Sequence, residues 1–235
     1  MDVRKRAWAK LPSLACFLAL ASLAAWLVWS TADEARSNFH QVVRGRLYRC
    51  GQLSPSVLEG RLRIHRIRSI VNLRGPNPRQ SWYENEHAVA ARAGVLIYDI
   101  ALCSDAAPTS AELKQLLEVF SICPKPVLIH CESGLDRSGL AATVFLLSQE
   151  TCSVAQAEQQ MGIRYGIPPG RERTERHRAF VQLYEHWLSQ SGETHSRENF
   201  RQWAMEAYRR PEHLGGPDWN VCYSKLPDQS ERQNP

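Results

Sequence analysis

Residues 130–139 combine a cysteine, an arginine and a glycine at a spacing that suits phosphate chemistry. Cys131 and Arg137 lie six positions apart, and Gly134 between them permits a tight backbone turn. An apolar run over 126–129 precedes the segment and a helix-compatible run follows it, so we expect a loop between a buried strand and a helix N-terminus. Backbone amides at such a position bind anions, aided by the helix dipole. The pattern therefore predicts a phosphate site.

Two side chains of this loop are candidates for the chemistry itself. A helix N-terminus and a nearby cation favour the thiolate form of a cysteine, so we expect Cys131 to attack phosphorus and carry a phosphocysteine. The guanidinium of Arg137 is expected to grip two phosphate oxygens. Ser138 is placed to donate a hydrogen bond to the sulfur, and His130 is expected to brace the loop. The complete set of predicted phosphate-binding residues is Glu132, Ser133, Gly134, Leu135, Asp136 and Arg137.

The segment resembles the His-Cys-x5-Arg-Ser/Thr signature of the protein tyrosine and dual-specificity phosphatase superfamily. Residues 38–52 and 70–74 add a resemblance to the compact atypical dual-specificity phosphatases of bacteria, plants and fungi, which covers roughly residues 38–190. It implies an α/β cysteine-phosphatase fold, with a central, mostly parallel sheet and helices on both faces. It also implies hydrolysis of phosphomonoesters without a metal or other cofactor. Some relatives act on phosphoproteins and others on inositol phosphates or pyrophosphates, so the reaction is better defined than the substrate.

Two aspartates compete for the role of general acid, which must protonate the leaving oxygen. Asp105 follows the apparent strand over 95–100, where dual-specificity phosphatases usually place their acid. Asp136 adjoins Arg137, and some bacterial and lipid-directed relatives use an aspartate at that position. The alternative roles are a turn residue for Asp105 and a salt-bridge partner that orients Arg137 for Asp136. The sequence leaves both candidates open.

Charges around the loop bear on the substrate. Glu132, Leu135 and Asp136 disfavour a densely charged polyanion, so we expect a phosphorylated protein or a small phosphomonoester as the partner. An inositol phosphate or a phospholipid is the alternative, because cations that could hold extra phosphates occur elsewhere in the chain. These cations are Arg74, Arg79, Arg171, Arg173, Arg176, His177 and Arg178. The last five are equally compatible with the solvated first turns of a helix.

Composition supports a folded enzyme and argues against other classes. The 235 residues are 43% hydrophobic and 23% charged, with a net charge of +5, which is ordinary for a globular protein. There is no basic stripe with interleaved aromatics, so we expect no nucleic-acid partner. The seven cysteines show no metal-ligand spacing, so we expect no metal site. The rival interpretations are a catalytically silent phosphate-binding module and a rhodanese-like sulfur transferase, and neither explains the intact Cys131 and Arg137 pattern as well.

The N-terminus predicts a membrane anchor. Residues 11–29 form a run of 19 without a charge, preceded by four cations, and that length nearly spans a bilayer. We expect a transmembrane helix over 11–30 and a catalytic domain on the extracytoplasmic side of a bacterial inner membrane. A cleaved signal peptide, giving a secreted or periplasmic protein, and a buried core helix are the alternatives. The full expected division is a cytoplasmic flank 1–10, anchor 11–30, linker 31–37, phosphatase domain 38–190 and C-terminal extension 191–235.

The catalytic domain alternates strand and helix signals, as expected for a sheet covered by helices. Helix starts are indicated by Ser54-Pro55 and by capping boxes at Thr109–Glu112 and Ser153–Gln156. Strands are predicted over 70–73 and 95–100, with a helix over 82–92 between them. Beyond the resemblance, residues 200–208 predict one more amphipathic helix, and residues 211–235 predict an irregular tail.

Overall fold

The computed structural model describes residues 17–23, 37–149 and 152–215. The chain divides into two compact units, Met1–Arg36 and Ser37–Pro235. In the first unit, residues 17–23 are helical and exposed. The second unit contains all of the strands described below.

The expected fold class is wrong in its transmembrane part. Within residues 17–23, 37–149 and 152–215, no helix has both the length and the apolar character needed to cross a membrane. Of the anchor expected over 11–30, residues 11–16 and 24–30 lie outside the described residues, as does most of the C-terminal tail. The localisation that was inferred from this segment stays an untested prediction.

The sheet has five short strands in the order β1-β2-β5-β3-β4. β1 pairs antiparallel with β2, whereas the pairs β2–β5, β5–β3 and β3–β4 are parallel. The sheet is therefore mixed, with an antiparallel edge strand added to a parallel core. The strands are β1 (His40–Val43), β2 (Leu47–Cys50), β3 (Ser69–Asn72), β4 (Leu96–Asp99) and β5 (Val127–His130).

Helices connect the strands and begin at the residues that the sequence marks. Pro55 occupies the first turn of α1, and Thr109 and Ser153 form capping boxes with Glu112 and Gln156. The α-helices are α1 (Pro55–Ile64), α2 (Ser81–Ala93), α3 (Ser110–Ile122), α4 (Asp136–Leu147), α5 (Val154–Glu158), α6 (Glu172–Ser191) and α7 (Arg197–Gln202). Short 3-10 turns span Gln159–Met161, Ile163–Tyr165 and Glu212–Leu214, and a π-helical turn spans Trp203–Ala207.

Alternating side chains of β5 face two hydrophobic cores, one on each side of the sheet. Val127 and Ile129 belong to the larger core, which contains residues of α3 to α7. Leu128 belongs to the smaller core, which contains residues of α1 and α2. A strand that is buried on both faces reads as a continuous apolar run, which is why 126–129 shows no alternation.

The carboxyl ends of β2, β3, β4 and β5 meet at one edge of the sheet because these strands are parallel. β5 is the central strand of the sheet, with β2 on one side of it and β3 on the other. The order of the strands along the chain therefore changes direction at β5. In open α/β sheets, ligands bind outside the carboxyl ends of the strands at such a switch point. The loop that follows β5 is the one that carries Cys131.

Candidate active site

The loop over 131–135 joins β5 directly to the N-terminus of α4. Cys131 is the first residue after the strand and is only 2% exposed. The backbone N–H of Gly134 donates to its sulfur at 3.2 Å. The thiol therefore sits at the base of a loop whose amides and whose following helix both favour negative charge.

The amides of this loop form a cradle without protein acceptors. Within the described part of the chain, the N–H groups of Glu132, Ser133, Leu135, Asp136 and Arg137 donate to no other residue. Unpaired donors at a helix N-terminus are the arrangement that binds an anion. The cradle is what a phosphate bound over the sulfur requires.

Gly134 is required by the way the loop packs on the end of β2. Its φ is +73°, and a Cβ atom at this position would lie 2.6 Å from the nitrogen of Gly51 and 2.7 Å from the carbonyl carbon of Cys50. Both obstacles are backbone atoms, so a side chain cannot be accommodated by a rotamer change. The glycine thus allows the loop to approach β2 closely enough to close around the sulfur.

Arg49 supports the loop from inside the molecule. Its guanidinium is fully buried and donates to the carbonyl oxygens of Gly134 at 2.8 Å and Leu135 at 3.1 Å. It also donates to Gln160 and lies 4.2 Å from the ring centroid of Tyr165. Burial lowers the pKa of Arg49 to about 10. The turn carbonyls are thereby held inward, which leaves the amides of the loop facing the other way.

The two other signature side chains differ in how they are engaged. Arg137 is half-buried and has no hydrogen bond or ion pair to any residue in the described ranges. The hydroxyl of Ser138 donates to the carbonyl oxygen of Cys50 at 3.1 Å, and not to the Cys131 sulfur as expected. Its observed contact joins α4 to the end of β2.

The other predicted loop positions contribute backbone more than side chain. Glu132 and Ser133 are exposed, and Leu135 is half-buried. The carbonyl oxygen of Glu132 accepts from the backbone N–H of Gln52 at 3.0 Å, which ties the outer side of the loop to the segment after β2.

His130 is held by a buried carboxylate on α2. Its Nε2 lies 3.0 Å from Glu86 Oε1, and its Nδ1 lies 3.3 Å from the carbonyl oxygen of Cys131. Gln52 donates to the second oxygen of Glu86 at 2.9 Å. Burial raises the pKa of Glu86, but the contacts with His130 and Gln52 lower it by more, so the net shift is downward. The imidazole therefore links a buried anion to the backbone of the nucleophile.

Asp136 is fully engaged by two residues at the start of α6, the N-cap Arg171 and Thr174. Both of its oxygens accept from Arg171, each at 2.9 Å, and Thr174 donates to one of them at 2.8 Å. Burial raises the pKa of Asp136, but these hydrogen bonds outweigh it and the net shift is downward. Asp136 thus forms a salt bridge, but its partner is Arg171 and not Arg137, as the alternative to a general-acid role had assumed.

Asp105 lies in the loop between β4 and α3. One carboxylate oxygen pairs with Arg173, and the other accepts from Ser104 at 3.3 Å. Its side chain is 22% exposed, compared with 6% for Asp136. Of the two candidate acids, Asp105 is the more accessible.

The basic cluster at the start of α6 is largely neutralised. Arg171 and Arg173 pair with the two aspartates, Arg176 pairs with Glu172, and Arg178 lies 3.6 Å from Glu175. His177 is fully buried, its Nε2 lies 3.0 Å from the carbonyl oxygen of Ala106, and burial lowers its pKa. The cluster therefore holds the loops of the site in place rather than offering free cations.

Arg74 follows β3 at the same edge of the sheet. Its guanidinium stacks on Trp82, with 3.6 Å between the guanidinium carbon and the ring centroid, and donates to Gln52 at 3.0 Å. Burial lowers its pKa, Glu132 opposes this shift, and Arg137 adds to it. Arg74 is close enough to the loop for these charges to matter.

Sequence reasoning missed the supporting residues of this site. Arg49, Gln52 and Glu86 were given no role, although an arginine between apolar residues of a strand signals a buried partner. No comparable signal exists for Glu86, because the pairing of α2 with β5 is a tertiary contact.

The chain is similar to known proteins in sequence and in fold. A family model described as "DSP-PTPase phosphatase fused to NAD+ Kinase" matches residues 18–178. No curated protein gives a match. The core catalytic domain of the PP-IP phosphatase SIW14 from S. cerevisiae, solved with citrate, is 22% identical, with a TM-score of 0.50 over 66% of this chain and 93% of that one. TpbA from P. aeruginosa, solved as a cysteine-to-serine variant with pTyr, is 19% identical, with a TM-score of 0.48 over 73% of this chain and 91% of that one.

Proposed function

Since this chain belongs to the DSP-PTPase family of cysteine-dependent phosphatases, we propose that it cleaves phosphomonoesters with Cys131 as the nucleophile. The observation that carries the assignment is a loop whose amides lack protein acceptors in the described ranges and which begins at a sulfur that accepts from Gly134 N–H at 3.2 Å. Amides with no protein acceptor match the phosphoryl oxygens in both the bound ester and the transition state.

The reaction has two steps. The thiolate attacks phosphorus, the bond between phosphorus and the ester oxygen breaks, and the leaving oxygen takes a proton from an acid. Water then attacks the phosphocysteine and gives its proton back to the same residue, which releases inorganic phosphate and the thiolate. Arg137, which has no partner in the described ranges, holds two of the phosphoryl oxygens through both steps.

Asp105 is the general acid in this proposal. Asp136 is poorly suited because three hydrogen bonds from Arg171 and Thr174 hold its oxygens and shift its pKa downward, which stabilises the carboxylate against taking up the proton that a general acid donates. Asp105 is more accessible, and its loop follows a strand whose carboxyl end lies at the same edge of the sheet as the nucleophile. Before it acts, the carboxyl group must leave its contact with Arg173.

The substrate is proposed to be a phosphorylated protein or a small phosphomonoester. The paired arginines of α6 are not available to bind a ring of phosphates, which weighs against densely phosphorylated inositols. SIW14 is named as a PP-IP phosphatase and TpbA was solved with pTyr, so the solved relatives themselves differ in what they bind.

The test is hydrolysis of two substrates by the purified protein in the presence of a chelator. Cys131→Ser should abolish the turnover of para-nitrophenyl phosphate. Asp105→Asn should slow phosphotyrosine hydrolysis by about 10²- to 10⁴-fold and spare the nitrophenyl ester, whose leaving group needs no proton. Asp136→Asn is the matched control and should affect both substrates alike.

Full activity of Cys131→Ser, or an absolute need for an added divalent metal, would overturn the mechanism. A selective loss with Asp136→Asn instead of Asp105→Asn would reverse the assignment of the acid.

A further inference from the structure

The most informative group that the reaction leaves unused is the guanidinium of Arg74. It follows β3, which is the neighbour of β5 in the sheet, so its loop lies beside the loop of the nucleophile. Half of the residue is buried, yet no carboxylate in the described ranges forms an ion pair with it. The four arginines of the α6 cluster, by contrast, are all paired.

Arg74 is held rigidly by contacts on two sides. The face of Trp82 covers the guanidinium at 3.6 Å, and Gln52 accepts from its Nη1 at 3.0 Å. Trp82 and Glu86 lie four positions apart on α2, so one face of this helix carries both the aromatic ring and the carboxylate that fixes Gln52. The entropic cost of ordering a long side chain is thereby met before any ligand arrives.

The same network fixes Arg74 relative to the phosphate loop. The backbone N–H of Gln52 donates to Glu132 at 3.0 Å, and its side chain accepts from Arg74. The Nε and Nη2 groups of Arg74 have no acceptor within the described part of the chain. An immobilised guanidinium with free donors is suited to bind a carboxylate or a phosphate.

Arg74 also brings a second positive charge to the vicinity of Arg137. Burial is the main cause of the lowered pKa of Arg74; the carboxylate of Glu132 raises this pKa, and Arg137 lowers it by less than Glu132 raises it. A half-buried guanidinium without an ion pair in the described ranges is costly in the free protein, and an anion that contacts it removes this cost. A single phosphoryl group in the amide cradle already engages Arg137.

We propose that Arg74 binds a second acidic group of the substrate, next to the phosphoryl group that is transferred to Cys131. This inference rests on the proposed function and narrows its substrate class to phosphomonoesters that carry a neighbouring phosphate or carboxylate. Arg74 would then discriminate such esters from those with a neutral leaving group. Esters whose leaving group carries no acidic group would still react, because Cys131 and Arg137 act on the transferred group alone.

Calorimetric titration with non-hydrolysable analogues tests the proposal without relying on turnover. Methylphosphonate carries one acidic group, whereas phosphonoacetate adds a carboxylate and methylenediphosphonate and 1,2-ethylenediphosphonate add a phosphonate. At least one of the doubly acidic analogues should bind the wild-type protein about ten- to a hundredfold more tightly than methylphosphonate, the range expected for a charged hydrogen bond. The analogue that gains most identifies the second group as carboxylate or phosphate.

Three variants separate a direct contact from other effects. Arg74→Gln should remove most of the gain while changing methylphosphonate affinity less than about threefold. Arg74→Lys keeps the charge but not the planar fork, so it should retain only part of the gain. Arg79→Gln removes an exposed cation from the same loop and should leave the gain intact.

The proposal is overturned if no doubly acidic analogue binds better than methylphosphonate. It is also overturned if Arg74→Gln weakens all analogues equally, which would indicate a role in the loop itself, or if Arg79→Gln has the same effect, which would indicate long-range charge. Thermal unfolding of each variant checks folding, and Arg74→Lys is the substitute if Arg74→Gln is unfolded. Turnover of para-nitrophenyl phosphate on the same samples keeps a failure of the catalytic proposal distinct from a failure of this one.

Discussion

Replacing Gly134 with alanine should lower the catalytic rate strongly, although the added methyl group takes no part in the reaction. The new Cβ would lie 2.6 Å from Gly51 N, which is 0.8 Å short of the 3.4 Å of ordinary contact. The obstacle is backbone, so the loop itself must move by most of that distance. The N–H of Gly134 is also the donor to Cys131 at 3.2 Å, so the movement displaces the cradle from the sulfur. A misplacement of about 1 Å in a reacting geometry costs roughly a hundredfold in rate.

The expected result is therefore a fall in kcat/KM of about a hundredfold for para-nitrophenyl phosphate, equivalent to about 2.7 kcal/mol of transition-state stabilisation. Left-handed backbone adds about 1 to 2 kcal/mol of strain to any alanine at such a position. Gly94→Ala is the matched control, because Gly94 has φ +65° at the end of α2 and nothing lies within 4 Å of its Cβ position. It should lose stability from the strain and keep its activity.

The measurements are steady-state kinetics and thermal unfolding of both variants. If Gly134→Ala and Gly94→Ala lose the same stability and Gly134→Ala keeps wild-type kcat/KM, the close approach to Gly51 does not shape the cradle and the reasoning is wrong.

Two further predictions concern the buried charges beneath the site. Because the folded pKa of Glu86 lies below its ordinary 4.5, its stabilising effect is complete above that value and is lost as pH falls through the folded pKa. Glu86→Gln should thus lower the free energy of unfolding at pH 7, and denaturant titrations should show this loss shrinking below about pH 4.5. A loss that stays the same at low pH would contradict the pairing with His130. Arg49→Met should reduce kcat/KM by about a hundredfold, because the carbonyls of Gly134 and Leu135 lose their donor. The effect on the melting temperature should be smaller, because the variant no longer buries a charged guanidinium, which is the burial that lowers the pKa of Arg49. Wild-type kinetics in this variant would show that the loop does not need Arg49.

Local signals in the sequence predicted much of the scaffold. The capping boxes at Thr109 and Ser153 occur as expected, since a side chain and an amide three residues apart need no tertiary context. The helix predicted over 82–92 is observed as Ser81–Ala93, and the strand over 95–100 as Leu96–Asp99. The region over 200–208 begins as α7 but continues as a π-helical turn, which the apolar pattern did not indicate.

What the sequence could not predict are the contacts between distant segments. The alternative role for Asp136 was a salt bridge with its neighbour Arg137, whereas its partner is Arg171, 35 positions later at the N-cap of α6. The choice between Asp105 and Asp136 depends on that contact, so the motif alone left it open. Ser138 likewise contacts Cys50 on a strand 88 positions earlier. Such pairings follow from the order of strands in the sheet, which local periodicity does not encode.

The start of α6 has a consequence for anyone who recombines this protein with a relative. Arg171 and Thr174 hold Asp136 of the nucleophile loop, and Arg173 holds Asp105 of the acid loop. A chimera that took only one of these loops from a relative would place a new loop sequence against residues 171–174 of this protein, which fit the original loop. Residues 171–174 should therefore be exchanged together with both loops in any graft. More than thirty positions of sequence separate residues 171–174 from the nearer loop.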